Sequence, residues 1–70
     1  MWASSEQFEA VKRFVMRRVS YPQGAVIDEY LLKIGIALLV KEGVFTVDEF
    51  QNELLRKTNT ICPAAWLPDA

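Results

Sequence analysis

Four cations crowd one short segment of this chain, Lys12, Arg13, Arg17 and Arg18. Arginine carries a planar fork of donors that matches carboxylates and phosphates, so the cluster is suited to holding an anion rather than to moving a proton. Groups suited to proton transfer or nucleophilic attack are scarce. There is no histidine, and the single cysteine, Cys62, stands beside Pro63 with no cationic neighbour in sequence to lower its pKa. A lone thiol without imidazole cannot build a common structural zinc site. Gly24, Gly35 and Gly43 lie too far apart to form a phosphate-cradling loop, and no nucleotide or metal motif occurs. We therefore expect no enzymatic activity, no cofactor and no metal.

Two binding classes remain. Residues 34–57 read as two helices joined by a short turn, but a DNA-reading helix needs a basic, polar exposed face. The later of the two offers Asp48, Glu49, Asn52 and Glu53 with Arg56, an acidic face that repels phosphate. Helix 1, with its basic cluster, is the better nucleic-acid candidate. The whole chain carries eight Lys and Arg against nine Asp and Glu, net −1, too balanced for a general nucleic-acid or membrane-surface binder. A protein partner is the favoured reading. Lys12, Arg13, Arg17, Arg18 and Trp66 are its expected contacts, because Arg and Trp are enriched at interface hot spots. Trp2 supplies a second aromatic end.

The periodicity that must position these groups is helical throughout, and we expect an all-α fold of three helices, residues 5–19, 24–42 and 47–57, followed by an apolar, Pro-containing tail, 59–70. In the first helix Ser4 is the expected N-cap with Gln7 three residues on, and Phe8, Val11, Val15 and Val19 form one stripe widened by Phe14. Glu9 and Arg13 have the spacing of a favourable i,i+4 pair. Pro22 and Gly24 set the second helix to start between Pro22 and Ala25, and Gly43 ends it as a C′ residue. Thr46 and Glu49 form a capping box, and Phe45 and Phe50 a hydrophobic staple, at the start of the third helix. Arg56 and Lys57 suit the macrodipole of its last turn.

The second helix is apolar nearly all round. Val26, Ile27, Tyr30, Leu31, Ile34, Ala37 and Leu38 cover one broad face, which we expect to meet the other two helices. Leu32, Ile36, Leu39 and Val40 then continue around the back beside Gly35, and two short helices cannot easily surround them. The tail, a second copy or a foreign partner could cover that strip. A domain of 70 residues with no disulfide and 51% apolar content commonly makes up its core by association, so we expect a homodimer through Leu32, Gly35, Ile36, Leu39 and Val40. The tail either packs back on the bundle, which is the commoner outcome, or docks into another chain.

No secretory signal is read at the N-terminus, where Met1 is soon followed by Ser4, Ser5, Glu6 and Gln7. The most apolar run, 25–40, is short of a membrane span and carries Asp28, Glu29 and Lys33. With one unpaired thiol, these features point to the cytoplasm and to no membrane partner. In size and style the chain resembles small phage-encoded accessory proteins that block host factors, a likeness of class carried by no motif. The functional expectation is a regulatory or inhibitory module that sequesters a protein partner. The alternative is a helical nucleic-acid-binding or transcription-regulating protein that uses the basic face of helix 1.

Overall fold

The computed structural model describes residues 5–68 and is all-helical, with α1 Ser5–Met16, α2 Glu29–Lys41 and α3 Val47–Thr58, then a 3-10 turn Ala64–Trp66. The expected cap Ser4 and the aromatic Trp2 lie outside the described residues. Val11, Phe14 and Val15 of α1 are buried, with Phe8 and Val19 packed against the same core, so the expected stripe faces inward. Regular helix stops at Met16, three residues short of expectation. The amides of Arg18 and Val19 both turn back onto the Val15 carbonyl at 2.9 Å, and the chain then leaves the helix axis toward Pro22.

The start of α2 corrects the expectation. Pro22 and Gly24 belong to a separate turn, closed by the Ala25 amide on the Pro22 carbonyl at 3.0 Å with Gly24 at φ +83°. Asp28 is the N-cap, and its carboxylate accepts from the Leu31 amide at 3.0 Å. An Asp in this place satisfies an orphan amide that a helix begun at Pro22 would have left to others. The other end follows expectation. Gly43 at φ +77° donates to the Val40 carbonyl (3.1 Å) and Val44 to the Leu39 carbonyl (3.0 Å), a Schellman stop. At α3, Thr46 Oγ1 accepts from the Glu49 amide (3.1 Å) while the Glu49 carboxylate accepts from the Thr46 amide (2.8 Å). Phe45 and Phe50 close the staple with ring centroids 5.2 Å apart, and Phe14 of α1 completes the aromatic cluster at 5.5 Å from Phe50. Asn59 ends α3 in the left-handed region at φ 56°.

The larger correction is the rotation of α2. Leu32, Gly35, Ile36 and Leu39 are buried in the chain's own core, and Val40 packs half-buried against it. The face assigned to a second copy is therefore the internal face. Tyr30, Ile34 and Leu38, assigned inward, are 72%, 45% and 43% exposed, and Val26 is 83% exposed. Two apolar arcs compete on this helix, and Gly35 decides between them. A methyl at Gly35 would overlap the Tyr21 hydroxyl and sit 3.0 Å from Val15 Cγ1. Only the arc that contains the glycine lets α1 and the Tyr21 ring approach so closely. Tyr21 then donates to the Leu31 carbonyl at 2.9 Å, and burial raises its phenol pKa.

The tail supplies the rest of the cover. The Gln51 side chain clamps Cys62 from both sides, accepting from its amide and donating to its carbonyl, each at 2.8 Å. Gln7 donates to the Ile61 carbonyl at 2.6 Å. The 3-10 turn packs against α2. Trp66 is buried there, its ring edge-on to Phe8 at 6.0 Å and its indole N–H donating to Glu29 Oε2 at 3.1 Å.

Gly35→Ala gains about 1 kcal/mol of helix propensity but overpacks the α1–α2 contact, so a net loss of about 1–3 kcal/mol is expected in urea melts. The loss should shrink when Tyr21→Phe removes the overlapping hydroxyl; simple additivity of the two substitutions would show that the hydroxyl does not set the contact. Gln51→Ala strands the Cys62 amide and carbonyl, and we expect it to cost about 1–3 kcal/mol. It should also speed labelling of the Cys62 thiol, and unchanged labelling would mean that the tail is held without the clamp.

Candidate functional site

The basic residues gather where α1 and α3 end. Ala10, Arg13 and Phe14 of α1 supply one wall of an open groove of about 700 Å³, Arg17 and Arg18 continue it just past the helix end, and Lys57 and Thr58 of α3 supply the other wall. Arg13 lies in the last turn of α1 and Arg17 directly follows the helix, and both line the same wall. Both are exposed, and neither has an ion pair or hydrogen bond among the described residues. The two C-terminal helix ends each carry roughly half a negative charge, which favours cations here. That effect accounts for part of the cluster but leaves the guanidinium donors of Arg13 and Arg17 unused.

The other expected contacts divide. Arg18 is committed to the fold, with its guanidinium carbon 3.8 Å from the Phe14 ring centroid and Nη1 donating to the Phe14 carbonyl at 2.9 Å. It covers the aromatic floor and satisfies a carbonyl in the last turn of α1. Lys12 lies outside the groove lining and pairs with Glu9 at 3.8 Å. That pair replaces the expected Glu9–Arg13 contact and leaves Arg13 without an ion pair among the described residues. Trp66 is buried against α2 and cannot act as an exposed anchor, which corrects its assignment. Lys57 was missed as a site residue. Its position in the last turn of α3 explained it locally, and nothing in sequence signals that this turn meets the end of α1.

Glu53 of α3 is ion-paired and hydrogen-bonded to Arg56. That hydrogen bond, with attraction from Arg56, Lys57 and Arg18, holds its carboxyl below the usual range. Glu53 is not among the groove's lining residues, and its carboxylate already has a partner in Arg56. Other acidic groups at helix starts are also in use: Asp28 and Glu49 as caps, and Glu29 on Trp66. Cys62 is buried, and loss of hydration pushes its thiol up to about 12, so it stays neutral and unreactive near pH 7. Among the described residues no three His, Cys, Asp or Glu side chains gather where a metal ion could be held. No described helix is long and apolar enough to cross a membrane. No protein-family model, curated protein or solved structure matches the chain.

The three arginines should separate in a stability assay. Arg18→Ala loses the ring stack and a hydrogen bond, a cost of about 1–2 kcal/mol in urea melts. Arg13→Ala and Arg17→Ala should stay within about 0.5 kcal/mol of wild type. A large loss at Arg13 or Arg17 would show that these residues are structural as well.

Proposed function

We propose that this chain is a small non-enzymatic protein-interaction module, a regulatory or inhibitory accessory protein that sequesters a partner by docking the α1–α3 groove on an acidic surface. The observation that carries the reading is the state of Arg13 and Arg17. Two exposed guanidinium groups with no ion pair or hydrogen bond among the described residues line one groove, and Lys57 faces them from α3. Arginines that contribute little to the fold are free to contribute to binding, and bidentate Arg–carboxylate pairs bring both energy and geometric specificity. The groove's committed residues help by staying still. Arg18, held on Phe14, fixes its floor, so less conformational entropy is lost on docking.

Affinity capture from native lysate, with nucleases present, compares wild type with an Arg13→Glu/Arg17→Glu double variant. We expect wild type to retain a protein that the variant releases. Capture that disappears on nuclease treatment would replace this reading with nucleic-acid binding. Capture indifferent to the double substitution would remove the groove from consideration.

A further inference from the structure

We propose that the α1–α3 groove receives a short acidic segment of the partner, one that presents two carboxylates about one helical turn apart to Arg13 and Arg17; this refinement rests on the protein-binding reading above. The division of the cations sets the pattern. Lys12 is paired with Glu9, and Arg18 is held over Phe14. Arg13, in the last turn of α1, and Arg17, just past its end and four positions on, remain on one wall. Lys57 supplies a third charge from the opposite wall. Two glutamates one turn apart on a partner helix repeat the Arg13–Arg17 spacing, so each can meet one guanidinium fork.

The surroundings select a short segment over other anions. The groove is open rather than enclosed, so it offers walls to a segment lying along it rather than a cavity that closes round a compact ligand. Both helix C-termini point their negative ends at this region, which disfavours any anion, carboxylate or compact dianion, seated deep between them. The reach of the arginine side chains favours carboxylates arriving from outside. A nucleic-acid duplex carries one charge about every 1.7 Å and needs a long basic track. Here the track is interrupted: Glu9 lies one turn upstream of Arg13, and Glu53 of α3 lies close enough to Lys57 and Arg18 to feel their charge.

The test is an NMR titration of the full chain at about 50 mM salt, where charge contacts are weakly screened. Two helical peptides of identical composition are compared, one with glutamates at i,i+4 and one with the same glutamates spread so that no two lie one turn apart. The paired peptide should shift the amide signals of Arg13, Arg17 and Lys57 and bind roughly tenfold more tightly than the dispersed one. Arg13→Gln or Arg17→Gln should abolish that preference, and Lys12→Gln should preserve it. Equal affinity for the two peptides, or tighter binding of a single-stranded oligonucleotide of equal charge, would overturn the proposal. If the paired peptide fails while nuclease-resistant capture still depends on Arg13 and Arg17, the segment assignment falls and the protein-binding reading survives. If capture fails as well, both fall.

Discussion

The contact between Gly35 and the pair Tyr21 and Val15 is the constraint on which the rest of this small fold depends. It brings α2 against α1 at a distance that no side chain at position 35 would allow. The rotation of α2 follows from it. Leu32, Ile36 and Leu39 turn into the core, and Tyr30, Ile34 and Leu38 turn out. A glycine inside a helix weakens it by about 1 kcal/mol relative to alanine, and the cost is recovered here through close packing and the Tyr21–Leu31 hydrogen bond.

That rotation leaves one side of α2 to be covered by something other than α1 and α3, and the tail does it. Gln51 acts on Cys62 as a neighbouring strand would, offering one acceptor and one donor to a single residue's backbone. The tail is then carried to α2, where Trp66 finds both an aromatic neighbour and a carboxylate for its indole N–H. A chain too short for a generous core thus recruits its own C-terminal segment. The same arrangement places the apolar surplus on Tyr30, Ile34 and Leu38, on the other face of α2 from the predicted one.

The groove is a consequence of how α1 and α3 end together. Each helix terminus attracts cations for local reasons, and tertiary packing sums them into one basic site. Within it the side chains differ in availability more than in type. Arg18 is spent on Phe14, and Lys12 stands outside the lining on Glu9, which leaves Arg13 and Arg17 unpaired among the described residues. Charge alone cannot separate these four residues, because each partner is set by a rotamer and by the direction its helix face points.

Sequence by itself determined the elements whose signals are local. The Thr46–Glu49 box, the Phe45–Phe50 staple, the Gly43 stop and the inward stripe of α1 are all legible, because each depends on residues within about two turns of one another. The Asp28 cap was readable in principle, but Pro22 and Gly24 stood earlier and drew the boundary to themselves. Tertiary structure alone decided which apolar arc of α2 faces inward, since both arcs have the same helical period and hydrophobicity does not rank them. It also decided that the tail folds back, and that Lys57 joins Arg13 and Arg17, residues separated by some forty positions along the chain. These outcomes rest on steric fit at Gly35 and on hydrogen bonds between distant segments, which no local pattern in the chain encodes.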